Sequence, residues 1–230
     1  MAIDNWLLNQ HIKGLQPGCL RFYTWRSPTI SLGYHQKQFP AHWTQLEYRG
    51  ECVELVRRPT GGRAVLHQGD LTYALVTSSL KGSRREVYQH LCQFLIEGWR
   101  RLGVELSFGA TGRGYIKNPN CFGTATAADL VTVSGYKLIG SAQVYRDGYI
   151  LQHGSIRLNP DRELFYRAFG EEILEPETSS LDLSSLGIEH VVSALSEAAR
   201  DCFDIGFEPQ VLAPITLQEA IAAYQSPPIN

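Results

Sequence analysis

Two periods of apolar residues divide this chain. Spacings of three and four predict helices, while alternation or short apolar runs bounded by turn residues predict strands. Trp6, Leu7, Leu8 and Ile12 fit one helical face over residues 5–13, with Asp4 read as its N-cap. From Leu20 to Tyr34, LRFYTWRSPTISLGY is rich in aromatic and β-branched residues and breaks at Ser27-Pro28, which predicts two strands joined by a turn. Further strands are expected at 53–58, 63–67 and 70–77. Over 83–102, Val87, Leu91, Phe94, Leu95, Trp99 and Leu102 recur on one face behind a cap at Ser83, the clearest helix in the sequence.

A strand near 104–108 leads into GATGRGYIKNPNCFGTATAA, a stretch with little periodicity. Long connections of this kind inside a compact domain are more often functional than not. Strong alternation returns over 129–134, 137–145 and 149–157, with Arg146-Asp147-Gly148 supplying a hairpin turn. Helices are expected at 160–169, 188–203 and 215–225. Strands in hairpins with helices between the groups predict an α+β fold: a mixed, mostly antiparallel sheet with flanking helices. Residues 1–230 read as one domain, with 171–230 a helical C-terminal extension packed on it.

Charge narrows the function classes. The 21 basic and 23 acidic residues leave a formal charge of −2, which argues against a surface built for nucleic acid. MAIDNWLLNQHIKG lacks the basic start and apolar run of a secretory signal, and no segment reaches the roughly 18 apolar residues of a membrane span. Five scattered cysteines, Cys19, Cys52, Cys92, Cys121 and Cys202, form neither a CxxC metal site nor a disulfide framework. They read as free thiols in a reducing, cytoplasmic protein, with no metal.

Three motifs carry candidate chemistry. In Arg57-Arg58-Pro59-Thr60-Gly61-Gly62-Arg63-Ala64-Val65-Leu66-His67, paired glycines join two predicted strands and allow close backbone approach to a ligand, although no Gly-Lys-Ser/Thr follows as a phosphate loop requires. The alternative is an ordinary tight turn flanked by solvated arginines. Gly135-Tyr136-Lys137-Leu138-Ile139-Gly140-Ser141-Ala142-Gln143 sets Lys137 before apolar and small residues, either partly enclosed or solvated at a strand end. In Ile150-Leu151-Gln152-His153-Gly154-Ser155-Ile156, His153 is a base or a hydrogen-bonded sheet residue.

In this order, with NCF in the long loop and with MAIDNWLL and WRSPTISLGYHQ ahead of them, these motifs resemble the biotin/lipoate ligase and lipoyl-transferase superfamily over roughly residues 1–170. ATP-dependent lipoate ligases usually have three glycines after the paired arginines, an Asn-Asp pair in the loop, and often a further C-terminal domain. Here Gly61-Gly62-Arg63 stands instead, the loop has no Asn-Asp, and the sequence ends early for that domain. The closer resemblance is to octanoyltransferases that charge the H protein of the glycine cleavage system. It implies Cys121 as acyl nucleophile and Lys137 in the site, with Arg57, Arg58, Thr60, Gly61, Gly62, Arg63, Ala64, His67, Gly140, Ser141, Ala142, His153 and Gly154 around the substrate.

The chemistry implied is octanoyl transfer from acyl carrier protein to a lysine of a lipoyl-type domain, such as the H protein or a 2-oxoacid dehydrogenase E2. A thioester on Cys121 makes ATP unnecessary, because donor and intermediate lie close in energy. A lysine near the thiol either favours the thiolate or stabilises the developing oxyanion. Val65, Leu66, Tyr73, Leu138 and Ile139 are candidate walls for the acyl chain, at about 0.8 kcal/mol per buried methylene. Both partner classes are acidic, and Lys81, Arg84, Arg85, Arg100 and Arg101 cluster around one helix as a docking patch. Three alternatives stand beside this: octanoyl transfer between lipoyl domains, ATP-dependent lipoate ligation, and a binding module that transfers nothing.

Overall fold

The computed structural model describes residues 1–109, 128–173 and 186–224. Its centre is a six-stranded antiparallel sheet of β1 (Cys19–Tyr23), β7 (Asp70–Ser78), β11 (Tyr149–Arg157), β10 (Lys137–Arg146), β9 (Asp129–Thr132) and β8 (Leu106–Phe108), in that spatial order. A second, three-stranded sheet sets β2 (Thr29–Leu32) between β5 (Glu54–Arg57), its parallel neighbour, and β6 (Val65–His67), its antiparallel one. The Ser27-Pro28 break therefore separates two sheets. The fold is α+β and mixed, mostly antiparallel, as the alternation predicts.

Period-two alternation on β7 separates two apolar layers. Leu71, Tyr73 and Leu75 point to the main core, which is closed by Leu91, Phe94, Leu95 and Trp99 of α2 (Arg84–Arg101) and by Leu195 and Ala198 of α4 (Ile188–Phe203). Ala74 and Val76 point the other way, against Leu7 and Leu8 of α1 (Ala2–Ile12). A third cluster gathers Ile30, Leu32, Trp43 and Ala64 with Leu164 and Ala168 of α3 (Arg162–Phe169) beneath the small sheet.

Local signals explain several boundaries. Ser83 caps α2 in a full capping box with Glu86. Arg146 pairs with Tyr149 across a two-residue turn in which Asp147 and Gly148 both have positive φ, the geometry of a type I′ hairpin. Two features depart from expectation. Asp4 is no cap: it lies inside α1, whose N-cap is Met1, and its side chain turns inward to partners distant in sequence. A short hairpin of β3 (Glu47–Tyr48) and β4 (Glu51–Cys52), preceded by a 3-10 turn at Ala41–Gln45, is too brief for periodicity to mark. At the C-terminal end α4 packs on α2 and α5 (Pro214–Ala223) on α1. No described helix is long and apolar enough to cross a membrane.

Candidate active site

The two sheets meet around a cavity of about 60 Å³. Ser31, Arg58, Gly62, Val65 and His67 line it from the small sheet and its glycine turn. Thr72, Asp129, Gly140, Ser141, Ala142, His153, Gly154 and Ser155 line it from the large sheet. All three sequence motifs thus contribute to one wall or another, although they lie far apart along the chain.

Close backbone approach needs glycine at two of these points. Gly62 has φ +95, and a Cβ on Gly33 would come within 1.8 Å of the Gly62 carbonyl, so the turn lies directly against the end of β2. A Cβ on Gly154 would meet Ser141 Oγ at 2.6 Å and the Tyr73 ring at 2.7 Å.

The paired arginines are buried, each about 4% exposed, so the solvated reading does not hold. Arg58 holds the turn from inside: its guanidinium donates to the carbonyls of Ser31 (2.8 Å), Gly61 (2.9 Å) and Arg63 (2.6 Å) and to Ser31 Oγ (3.2 Å). Arg57 donates to the carbonyls of Gly33 and Gln36. Ala64 belongs to the core beneath the small sheet, and Gly61 and Arg63 serve the site through their carbonyls.

Two histidine chains reach this cavity. In the first, His153 Nδ1 lies 3.4 Å from Asp4 Oδ2, and its Nε2 lies 2.6 Å from Thr60 Oγ1. A carboxylate only accepts, so Nδ1 carries the proton and Nε2 accepts from threonine. Arg21 (2.8 Å) and the Tyr23 hydroxyl (2.8 Å) also donate to Asp4. Burial works against the Asp4 charge, but the His153 hydrogen bond and nearby positive charges outweigh it and hold the carboxyl well below the usual range. Burial pushes His153 the other way, below the ordinary histidine value, and keeps the ring neutral.

In the second chain, Ser31 Oγ lies 2.8 Å from His67 Nε2, and His67 Nδ1 lies 2.8 Å from Asp70 Oδ2. The same reasoning makes Ser31 the donor to Nε2 and His67 the donor to Asp70. Asp70 Oδ2 also accepts from Ser155 (2.7 Å) and Thr72 (3.2 Å). Trp25 stacks on the His67 ring at 4.2 Å and 20° while its indole N–H donates to Thr72.

Lys137 is buried at the start of β10, its Nζ 2.8 Å from Asp129 Oδ1. Asp129, which lines the cavity, was absent from the expected set, as were Ser31, Asp70, Thr72, Ser155 and Asp4. The His67/Asp70 pair is visible as a short spacing in HQGD, and Ser31 as a polar residue within an apolar strand. Asp4 and Asp129 reveal themselves only through folding.

Cys121 lies outside the described residues, as does most of the aperiodic loop that carries it. The other four cysteines are free, and none lines the cavity. Burial pushes the Cys92 thiol up to about 12 and Cys19 up to about 11, and raises Cys202 as well. Among the expected acyl-chain walls, Val65 lines the cavity, whereas Tyr73, Leu138 and Ile139 belong to the main core. Of the five basic residues around α2, Arg100 and Arg101 are tied to Glu97 and Asp201, and Lys81, Arg84 and Arg85 are exposed. No group of three or more metal-ligating side chains occurs among the described residues.

The family model for the lipoyl protein ligase A/B catalytic domain matches residues 1–205. The chain belongs to that family. Octanoyltransferase LipM of Halalkalibacterium halodurans is 36% identical over 244 residues, covering 96% of this chain and 86% of the relative. Octanoyltransferase LipM of Geobacillus kaustophilus is 36% identical over 248 residues, covering 97% and 87%. A crystal structure of lipoate-protein ligase A bound with ATP matches with a TM-score of 0.75 at 21% identity, covering 96% of this chain and 86% of that one, a likeness of fold. As a member of the lipoyl protein ligase A/B family, the protein is an acyltransferase enzyme.

Proposed function

We propose that this protein transfers an octanoyl group from the thioester of acyl carrier protein to a lysine of a lipoyl-type domain, such as glycine cleavage H protein or a 2-oxoacid dehydrogenase E2. The group passes through a thioester on Cys121, in the cytoplasm and without ATP. The observation that carries the reading is the near full-length similarity to proteins named octanoyltransferase LipM. The thiols add support: burial suppresses the thiolate of Cys19, Cys92 and Cys202, and Cys52 is exposed away from the cavity. Only a thiolate attacks efficiently, which fits the role of nucleophile that the resemblance implies for Cys121.

Within this reading, the glycine turn and the start of β10 hold the reacting carbonyl, and Lys137, oriented by Asp129, meets the charge that develops on its oxygen. Exposed Lys81, Arg84 and Arg85 suit an acidic carrier.

Incubation with octanoyl acyl carrier protein, without ATP, is expected to add one octanoyl group to Cys121 by mass spectrometry and then to modify H protein. Cys121→Ala is expected to abolish both. Full turnover in Cys121→Ala when ATP and free octanoate replace the carrier-bound donor, with AMP released, would replace the reading with ATP-dependent ligation. Loading from an octanoylated lipoyl domain, but not from acyl carrier protein, would make the enzyme an amidotransferase.

A further inference from the structure

The two protein substrates of an acyl transfer reach the site on different tethers. A carrier protein presents its thioester at the end of a long flexible arm, so the carrier itself can dock at a distance. The acceptor presents a lysine, whose four-carbon stem reaches only about 6 Å from the backbone. The polypeptide on either side of that lysine must therefore lie on the rim of the cavity. Gly62 is exposed and also lines the cavity, so the glycine turn stands at that rim.

A surface turn is fastened to this rim. Gly33, Tyr34, His35 and Gln36 follow β2, and the Gln36 N–H closes the turn on the Gly33 carbonyl at 3.0 Å. The Tyr34 N–H donates to the Thr60 carbonyl at 2.8 Å, and a Cβ on Gly33 would collide with the Gly62 carbonyl. From beneath, the buried Arg57 guanidinium donates to both ends of the turn, to the Gly33 carbonyl at 3.0 Å and the Gln36 carbonyl at 2.6 Å. Water satisfies the carbonyls of an ordinary surface turn; a buried guanidinium in its place fixes where the turn stands. The two central residues carry rings that face solvent. Tyr34 is 50% exposed, and it meets the exposed His35 edge to face, with centroids 4.9 Å apart and planes at 89°. Lys37, also exposed, lies just beyond.

We propose that the Tyr34–His35 turn is the docking platform for the acidic acceptor domain, on the segment that carries its target lysine, an inference that rests on the acyl-transfer reading above. Aromatic side chains held in place before binding lose little conformational freedom on contact, and tyrosine is prominent among the residues that dominate interfaces. Lys37 beside the rings complements an acidic partner. The exposed Lys81, Arg84 and Arg85 do not line the cavity, which suits the carrier, whose arm makes docking at the rim unnecessary. Arg57, which the resemblance places around the substrate, becomes a positioning residue for the acceptor: it holds the turn and does not line the cavity.

The test separates the partners. Enzyme loaded with octanoyl from acyl carrier protein is discharged onto apo H protein or onto hydroxylamine, a nucleophile too small to use a docking surface. In Tyr34→Ala and His35→Ala, KM for H protein is expected to rise about tenfold with kcat within about threefold of wild type. Loading from the carrier and discharge onto hydroxylamine are expected to keep wild-type rates. Lys37→Glu is expected to raise the same KM and to flatten its dependence on salt. Calorimetry reads the contact without chemistry: Tyr34→Ala is expected to bind apo H protein about tenfold more weakly and acyl carrier protein as wild type does. Unchanged affinity for H protein, or an equal loss toward carrier and acceptor, would overturn the platform alone. Failure of the wild type to load, with the contrast in Kd intact, would overturn the acyl-enzyme reading alone. Circular dichroism checks folding, and either ring variant carries the test if the other does not fold.

Discussion

Two histidines line one cavity, each donating through Nδ1 to an aspartate and accepting through Nε2 from a hydroxyl, yet their surroundings assign them different work. His153 ties β11 to Asp4 of α1 and to the glycine turn at Thr60, and Asp4 in turn is fixed by Arg21 and Tyr23 of β1. Every end of that chain is closed by protein. His67 ties β6 to β7 and ends on Ser31, whose hydroxyl sits on the cavity wall. The difference teaches that a hydrogen-bond pattern does not define a role. The last hydroxyl of one chain is closed in by protein, and that of the other stands on the cavity wall.

The largest effect should come from cutting the bracing chain at its anchor. Asp4→Ala leaves Arg21, Tyr23 and His153 without their shared acceptor, and breaking a buried charge pair this way costs about 3–5 kcal/mol. Urea unfolding followed by circular dichroism measures it. Asp70→Asn is the matched probe on the other chain. Ser155, Thr72 and His67 all donate to the one oxygen Oδ2, so an amide oxygen in its place keeps the three bonds and loses only the charge behind them. The expected result is a smaller stability loss than Asp4→Ala, read by the same urea unfolding. Equal destabilisation by the two variants would erase the distinction between the chains.

Gly154→Ala tests the wall where the two chains come together. Its Cβ would lie 2.6 Å from Ser141 Oγ and 2.7 Å from the Tyr73 ring, both of them in mutual hydrogen bond, so neither yields freely. Overpacking of this kind costs about 1–3 kcal/mol. Thermal unfolding reads the loss, and an unchanged midpoint would mean that the sheet relaxes there.

Acid should distinguish the bracing chain by its slope. The folded protein holds His153 below its ordinary value, so in the unfolded chain the ring takes up a proton first, below about pH 6.5. The unfolded state then binds more protons, and the stability His153 contributes is present above that pH and lost as the pH falls. The slope from one such group reaches at most about 1.4 kcal/mol per pH unit. His153→Gln is expected to flatten the dependence between about pH 6.5 and 5. The Asp4 loss has the same sign but begins lower, below about pH 3.9, because its folded value is depressed.

How much of this was legible in the sequence depends on the range of the interaction. The cap at Ser83, the Arg146–Tyr149 hairpin and the alternation over 137–145 and 149–157 are local, and they mark a helix start, a turn and two strands from the text alone. Arg58 was visible as a motif residue but not as a ligand of three carbonyls, because those carbonyls are set by the turn it builds. Asp4 resembled a cap because a carboxylate near a helix start usually is one. Only the approach of β1 and β11 gives it three better partners. Asp129 before an apolar strand carries no signal at all until Lys137 is laid beside it by the β9–β10 pairing.

The finest distinction lies between the two terminal hydroxyls. Thr60→Val removes the donor to His153 Nε2 at a place that does not line the cavity, so the ring nitrogen is left unsatisfied in the interior, at a cost of about 1–3 kcal/mol. Ser31→Ala removes the equivalent donor to His67, but Nε2 there lies beside the cavity, where water can replace the hydroxyl, and Arg58 keeps its bond to the Ser31 carbonyl. The stability loss for Ser31→Ala should therefore be about 1 kcal/mol smaller than for Thr60→Val. An equal or larger loss for Ser31→Ala, measured by urea unfolding, would mean that no water replaces the hydroxyl and that both chains brace the fold alike.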